Sequence, residues 1–363
     1  MSRRLNLINN VLSLIITVGL LFLVVFASNE RFTDGAIYVV LALVLSAIIC
    51  GFIITFFHEL GHLVFGKANG FKLLSFTVWF LKWSRKKGKT VFDFTWFGEE
   101  AGSTEMVATS VDCVEKGFKR MTFGGLLFTA FLMVIGIVPF FIPELPLYLF
   151  IFWAMFLPMG AYVFFGNALP METYGVPNDG LVLRNLRKNT DSSKVSLSLL
   201  RIQSELFNGK TPSEIDENHY FDLPQLREDD FNFILLLNAR YYYYLDKGDF
   251  ENAKKVSDRA ITLLEYLPKS VIFAVKADAL YNACTFDFNE TVADDLAYEL
   301  EKYLNSVNNA TNLRIKLAYV KNVKKDQEVV ENFYKKALKE AKRIQIDGLK
   351  KLEIKLIENL SNN

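Results

Sequence analysis

This chain of 363 residues contains few cysteines and carries almost no net charge. The three cysteines, Cys50, Cys113 and Cys284, are scattered and form no CxxC pair, which is typical of unpaired thiols rather than of a disulfide framework or a zinc knuckle. The formal net charge of +1 gives no indication of nucleic-acid binding. Long apolar runs fill much of residues 1–171, whereas residues 190–363 have the composition of a soluble protein. The sequence therefore predicts a membrane half joined to a soluble half.

Four apolar runs are long enough to cross a membrane, since about 20 helical residues span ~30 Å of hydrocarbon. The predicted spans are Val11–Ser28, Ala36–Gly66, Met121–Pro143 and Leu145–Met171. Only Glu144 separates the third span from the fourth, so these two are expected to form a tight helical hairpin.

Lysine and arginine are distributed unevenly around these spans. Arg3 and Arg4 precede the first span, a basic stretch follows the second, and Arg184, Arg187 and Lys188 follow the fourth, whereas the opposite side carries only Arg31. The positive-inside rule then predicts a multi-pass cell-membrane protein with its N-terminus, the 67–120 loop and the C-terminal domain in the cytoplasm. Alternatively the first span is a cleaved signal peptide, which is disfavoured because its apolar run is long and no clear cleavage site follows.

A histidine pair lies near the predicted cytoplasmic end of the second span, in the sequence His58-Glu59-Leu-Gly-His62. Helical spacing of i, i+4 places both imidazoles on one face, where they can share a Zn²⁺ ion. Glu59 lies on the adjacent side, where it is suited to take a proton from a water molecule at the metal. Ionisable residues at the edge of a membrane helix usually mark function.

Catalytic zinc normally takes three protein ligands and a water, so the third ligand has to come from another helix. Asp112 and Glu172 are possible. His219 lies in the soluble half, and Cys50 lies about 12 Å along the helix from His58, too far to bind the same ion. Asp179 is the better candidate, because it follows the fourth span at the end that approaches the cytoplasm. Its carboxylate is expected to complete a His₂-Asp site with one open position.

The combination of motifs resembles the site-2 protease family of intramembrane zinc metalloproteases (the M50 class). An HExxH sequence in one membrane helix is followed by Asn-x-x-Pro (Asn167–Pro170) and then by Asp179-Gly180. The resemblance covers roughly residues 36–185 and implies a three-helix core made by the second, third and fourth spans. It implies a zinc ion with the protein ligands His58, His62 and Asp179, a general base at Glu59, and a residue that helps to polarise the scissile carbonyl at Asn167.

The chain departs from the family pattern at three places. The residue before Asp-Gly, commonly Leu, is Asn178. Gly175 and Pro177 lie between the two later motifs, so the last helix is expected to break, which is tolerable where it lines a water-filled cavity. The middle helix keeps Gly124 and Gly125 of a Gly-Gly-Pro-x-x-Asn pattern but lacks its Pro and Asn. The two glycines still predict close helix packing.

The 67–120 loop contains two strand-like runs, Phe71–Phe80 and Lys89–Phe97, joined by a basic turn at 84–88. Phe92, Phe94 and Trp96 alternate with polar residues, which predicts a half-buried strand. The loop is therefore expected to form a small β-hairpin that packs on the core. An edge strand that captures the substrate backbone by strand addition is compatible with it.

The soluble half is expected to be helical. A turn at Asp246–Phe250 is followed by Ala253 and Ala260, which resembles one tetratricopeptide-type (TPR-like) helix pair. A generic helical bundle is the alternative. Either is suited to bind a cytosolic protein partner, or to restrict which substrates reach the zinc.

These features predict a mainly α-helical protein in three parts. Residues 1–35 would form an extra N-terminal transmembrane span and an external loop, residues 36–189 the intramembrane metalloprotease core, and residues 190–363 a cytoplasmic TPR-like domain. The favoured function is an intramembrane zinc endopeptidase that cleaves the transmembrane segment of a single-span protein or signal-peptide-derived precursor near the cytoplasmic face. The alternative is a membrane-anchored helical-repeat scaffold with a non-catalytic metal site.

Overall fold

The computed structural model describes residues 3–29, 31, 35–86, 89–94, 101–173, 175–267, 269–306 and 309–362. Within these ranges the protein is mainly helical, with a small antiparallel sheet. The chain divides into two compact units. The first consists of Met1–Arg85, Thr90–Met106 and Glu115–Asn189, and the second of Lys86–Lys89, Val107–Val114 and Thr190–Asn363.

Long apolar helices dominate the first unit. Its helices are α1 (Arg3–Asn29), α2 (Ala36–Ala68), α3 (Val114–Ile137), α4 (Leu147–Ala154), α5 (Phe156–Ala168) and α6 (Asp179–Lys188). By length and composition, four stretches could cross a membrane: Arg4–Asn29, Ala36–Ala68, Val111–Phe141 and Leu147–Ala168. They coincide with the four predicted apolar runs. Bulky apolar side chains such as Phe22, Ile37 and Phe131 are exposed on them, as expected of helices that face lipid.

The fourth apolar stretch is interrupted and ends earlier than predicted. Pro158 lies in the first turn of α5, just after the one-residue gap from α4, and a proline has no N–H with which to continue a helical hydrogen-bond ladder. After Ala168 the chain forms a short hairpin of β5 (Glu172–Thr173) and β6 (Val176–Pro177) before α6 begins. Gly175 turns this hairpin with a φ of 79°, which favours glycine. The predicted helix break is therefore confirmed.

The sheet is larger than the predicted β-hairpin. It contains β1 (Phe71–Val78), β2 (Leu81–Lys86), β3 (Lys89–Phe94) and β4 (Gly102–Ala108), in the order β3-β2-β1-β4. β2 pairs antiparallel with β1, with Phe76 opposite Trp83. The sequence prediction was wrong about the turn, because Ser84 and Arg85 belong to β2 and the chain already reverses between Val78 and Leu81.

The strand predicted at 89–97 is confirmed over Lys89–Phe94, but its predicted half-burial is wrong. Phe92 and Phe94 of β3 are 46% and 75% exposed. Trp96, Lys87 and Gly88, which also belonged to the predicted strand and turn, lie outside the described residues. The apolar alternation reflects stacking among exposed rings, since Phe94 stacks on Phe80.

The second unit is built from helices that pack in succession. They are α7 (Asp191–Phe207), α8 (Asn218–Phe221), α9 (Phe231–Lys247), α10 (Phe250–Ile261), α11 (Lys269–Cys284), α12 (Glu290–Glu299), α13 (Glu301–Ser306), α14 (Ala310–Tyr319), α15 (Gln327–Ala341) and α16 (Asp347–Asn362). Neighbouring helices pair as α9 with α10, α11 with α12, and α14 with α15. Gly248 ends α9 at a φ of 78°, and Ala253 is fully buried in α10. A TPR-like module and a generic bundle both fit this pairing, so the repeat assignment stays a prediction.

Candidate metal centre

His58 and His62 lie on successive turns of α2 and face the same point. Their ring centroids are 4.8 Å apart and their Nε2 atoms are 3.2 Å apart. Both side chains are buried. The i, i+4 spacing has therefore placed the two imidazoles together, as the sequence predicted.

Asp179 brings a carboxylate to the same point from a distant part of the chain. It is the first residue of α6, and its Oδ2 lies 3.4 Å from His58 Nε2 and 3.3 Å from His62 Nε2. One ligand atom from each of the three residues lies within 4.8 Å of the other two. Of the other candidates, Asp112 and His219 belong to the second unit. The structure thus brings together the three residues predicted to bind metal.

Hydrogen bonds to the second nitrogen of each ring indicate where the ring protons lie. His62 Nδ1 is 2.9 Å from the carbonyl oxygen of Met121, which can only accept, so Nδ1 donates. His58 Nδ1 is 2.9 Å from Thr129 Oγ1. The Thr129 hydroxyl donates its own proton to the carbonyl of Gly125 at 2.9 Å, so it accepts from His58. When each ring is neutral, its Nε2 is therefore the lone-pair atom, which is the state in which histidine binds metals.

The resulting donor set fits a divalent cation. Asp179 Oδ2 is buried and has no hydrogen-bond partner among the described residues. Two imidazole nitrogens and a carboxylate oxygen that converge in a buried site form a donor set that a cation between them would satisfy. Two histidines and one carboxylate are also a protein ligand set of catalytic zinc sites, which keep a further position open for water.

The Glu59 carboxylate is held by strand β4. Glu59 is buried, and its Oε2 accepts a hydrogen bond of 2.7 Å from Thr104 Oγ1. Gly102 lies so close that a Cβ added there would be 2.7 Å from Glu59 Oε1. The strand that was absent from the sequence prediction is therefore the one that orients the predicted general base.

Glycines allow α2 and α3 to approach closely beside the histidines. A Cβ on Gly61 would lie 2.3 Å from the carbonyl oxygen of Gly124, and one on Gly125 would lie 2.4 Å from His62 Nε2. Neither distance is sterically possible without a shift of the backbone or of the imidazole. The close packing predicted from Gly124 and Gly125 is therefore confirmed, and Gly125 leaves room for the two imidazole rings.

Asn167 and Asn178 differ in their hydrogen-bond partners. Asn167 Nδ2 donates to the carbonyl of Val163 within its own helix, and its role in polarising a substrate carbonyl stays a prediction. Asn178 caps α6, because its Oδ1 accepts the N–H of Leu181 at 3.0 Å. Its Nδ2 donates to the carbonyl oxygens of Gly166 and Leu169, both at 2.7 Å. The residue that departs from the family pattern thus fixes the start of the helix that carries Asp179.

Comparison with protein-family models, with curated proteins and with solved structures finds no match to this chain. Its function has to be inferred from the geometry of the metal centre. Sequence reasoning missed Thr104, Thr129 and Asn178 as parts of that centre. A signal existed only for Thr129, which stands where the Gly-Gly-Pro-x-x-Asn pattern has its Asn.

Proposed function

We propose that this protein is an intramembrane zinc endopeptidase of the site-2 protease type. It would cleave the transmembrane segment of a single-span protein or of a peptide precursor near the cytoplasmic face. The observation that carries the proposal is the convergence of three lone-pair donors, from His58, His62 and Asp179, in α2 and α6 of an apolar helical unit. A zinc ion held there would supply an activated water at neutral pH and polarise the scissile carbonyl.

The residues of the chain have distinct tasks in this proposal. Glu59 accepts a proton from the attacking water and returns it to the leaving amide nitrogen. Thr104 occupies Glu59 Oε2, which fixes the rotamer of the carboxylate and leaves Oε1 as the proton acceptor. The acceptors on His58 Nδ1 and His62 Nδ1 keep both rings in the ligand tautomer. Because the ligand histidines and Glu59 are buried, a helical substrate has to unwind locally before its carbonyl reaches them.

We assign substrate capture to β4 rather than to β3. Both are outer strands of the sheet, and an outer strand can accept an extended peptide by strand addition. Only for β4 do contacts with the general base support this assignment, through Gly102 and Thr104.

The proposal is tested by Glu59→Gln, which keeps the size of the side chain and an acceptor for Thr104 but removes the base. General acid–base catalysis contributes roughly 10²–10⁴-fold, so we expect cleavage to fall by at least about 100-fold while bound zinc is unchanged. Membrane proteomes of wild-type and Glu59→Gln cells should then differ by an accumulated single-span protein. Glu115→Gln is the control, because that carboxylate is exposed in the first turn of α3. Undiminished processing by Glu59→Gln would refute the assigned base.

A cavity in the second unit supports a second proposal, that residues 190–363 bind a cytosolic protein partner. The cavity has a volume of about 600 Å³ and lies between α7, α9, the N-terminus of α14, and α16. Leucines line it together with the amide side chains of Gln203, Asn232, Asn238 and Asn309. Among the described lining residues the one charged side chain is Glu353, and its carboxylate pairs with the buried Arg314. Apolar walls with amides suit an uncharged peptide segment, since an amide side chain offers one donor group and one acceptor to a peptide backbone.

Substitutions in this cavity distinguish the protease proposal from the scaffold alternative. Leu235→Arg would place a cation inside the cavity, and Leu199→Arg, on the facing helix, would do the same. If the protein is a scaffold, either change abolishes the cellular function while His58→Ala and Glu59→Gln leave it intact. If it is a protease, the His58 and Glu59 variants abolish processing, and the cavity variants alter only which substrates are processed.

A further inference from the structure

Asparagines hold the segment Pro170–Glu172, which lies after α5 and ends in the first residue of β5. The carbonyl of Pro170 accepts a hydrogen bond of 2.8 Å from Asn9 Nδ2. Met171 donates its N–H to Asn178 Oδ1 and accepts the backbone N–H of Asn178, both at 3.0 Å. Glu172 donates its N–H to Asn6 Oδ1 at 3.0 Å and accepts from Asn6 Nδ2 at 2.8 Å. Every backbone donor and acceptor of this segment is therefore paired with one of three asparagines.

Two of these asparagines belong to α1, more than 160 residues earlier in the chain. Asn6 and Asn9 are spaced i, i+3, so they lie on one face of the helix, one turn apart. The side-chain amide of Asn6 binds both backbone groups of Glu172, as a neighbouring strand would. The same helix packs along α5, so the two asparagines extend a helix contact onto the non-helical residues that follow it.

Backbone that leaves a helix at the edge of a membrane needs such partners. An N–H or C=O that is withdrawn from water without a new partner loses a hydrogen bond, which is unfavourable. Without Asn6 and Asn9, the groups of Pro170 and Glu172 would have to find other partners, and the segment would have to move to do so.

The position of this segment helps to determine the position of Asp179. Met171 is bonded to both the backbone and the side chain of Asn178, and Asn178 caps the helix whose first residue is Asp179. The asparagines of α1 thus connect, through Pro170–Glu172 and Asn178, to the carboxylate that lies 3.3–3.4 Å from the histidines.

We propose that α1 is a positioning element for the metal centre, in which Asn6 and Asn9 fix the α5–α6 connection so that Asp179 meets His58 and His62. The resemblance to site-2 proteases concerns residues 36–185 and gives α1 no such role. This proposal rests on the proposed function only in so far as the centre binds zinc.

The test compares full-length protein carrying Asn6→Leu and Asn9→Leu together with protein carrying Asn10→Leu. Asn10 is the matched control, because it is exposed and its Nδ2 donates only to Asn6 O within α1. Zinc affinity is measured in detergent by competition with a chromogenic chelator, and hydrogen exchange is followed over residues 168–182. Changes in residues that orient metal ligands typically weaken metal binding by about 10–100-fold, so we expect that loss for the double variant and none for Asn10→Leu. Exchange should accelerate at the amides of Met171, Glu172 and Leu181.

A double variant that binds zinc as tightly as the wild-type protein would overturn the proposal, whether or not its hydrogen exchange changes. If exchange also accelerates throughout α7–α16, the double variant is misfolded. In that case the single variant Asn9→Leu, which loses one hydrogen bond, is compared with Asn10→Leu. Weaker zinc binding by Asn9→Leu than by Asn10→Leu would support the proposal, and equal binding would overturn it. Wild-type protein that binds no zinc would refute the metal centre instead. In that case unchanged exchange at 171–181 in the double variant would overturn the role of α1, and accelerated exchange there would support it.

Discussion

The hydroxyl of Thr129 decides which nitrogen of His58 faces Asp179. Because this hydroxyl donates to Gly125 O, it can only accept from the imidazole, and the ring keeps its proton on Nδ1. Thr129 is fully buried, so no water competes for the contact. A single side chain in the middle of α3 thus fixes the ring orientation of a candidate metal ligand in α2.

We predict that Thr129→Val weakens zinc binding by about 10–100-fold, because His58 Nδ1 loses its acceptor and the ring is free to rotate or to change tautomer. Thr129→Ser keeps the hydroxyl and should stay near the wild-type affinity. Thr122→Val is the control on the same helix, since the buried Thr122 hydroxyl donates to the carbonyl of Phe118 in its own helix. Chelator competition measures all three, and a valine variant that binds zinc as tightly as wild type would contradict the assignment.

The three residues of the candidate metal centre could be predicted from the sequence, but the residues that orient them could not. His58 and His62 are found by helical spacing alone, and Asp179 by its place after the fourth span. Thr129 and Asn178 act through contacts with residues that are distant in sequence or that lie on another helix, and no periodicity marks such contacts. The place of Thr129 in the Gly-Gly-Pro-x-x-Asn pattern is a signal in the sequence, but its contact with His58 becomes known only when the facing helices are known. The contacts of Asn178 likewise become known only from the structure.

Helices α2 and α3 are in backbone contact at Gly61 and Gly124, which places the histidines against the wall of α3. The long apolar runs made these helices predictable, since their length and composition are sufficient evidence. The sheet was less predictable. β4 is short and its apolar residues are at one end only, so it carries no clear alternation, and its pairing with β1 depends on contacts across the loop.

We predict that Gly61→Ala lowers the thermal stability of the purified protein in detergent. The added methyl group would lie 2.3 Å from the carbonyl oxygen of Gly124, and overpacking of this kind typically costs about 1–3 kcal/mol. Gly19→Ala in α1 is the matched control, because a Cβ there meets no atom within 4 Å. Alanine favours a helix over glycine by up to ~1 kcal/mol, so the control should be neutral or slightly more stable. Equal melting temperatures for the two variants would contradict the close approach.

Composition predicts a membrane half and a soluble half, and the distribution of lysine and arginine predicts the orientation in the membrane. We propose that the N-terminus, the 67–120 loop and residues 190–363 are cytoplasmic, because arginine and lysine cluster at these ends of the apolar helices.

The native cysteines provide a test of this orientation without added reporters. Cys113 is partly exposed in the 67–120 loop, whereas Cys50 and Cys284 are buried. We predict that a membrane-impermeant maleimide leaves the protein unlabelled in intact cells and labels it after the cells are permeabilised. A Cys113→Ser variant should remain unlabelled in both conditions. Labelling of Cys113 in intact cells would reverse the proposed sidedness.

The contacts of the candidate metal centre also have a consequence for the abundance of the protein in the cell. Among the described residues, Asp179 has ion-pair contacts only with His58 and His62, so a newly made copy that lacks a bound ion would hold the start of α6 less firmly than a zinc-bound copy. Such copies would be the preferred targets of quality-control proteases. Zinc starvation would therefore lower the abundance of the protein through its turnover, without any change in its synthesis.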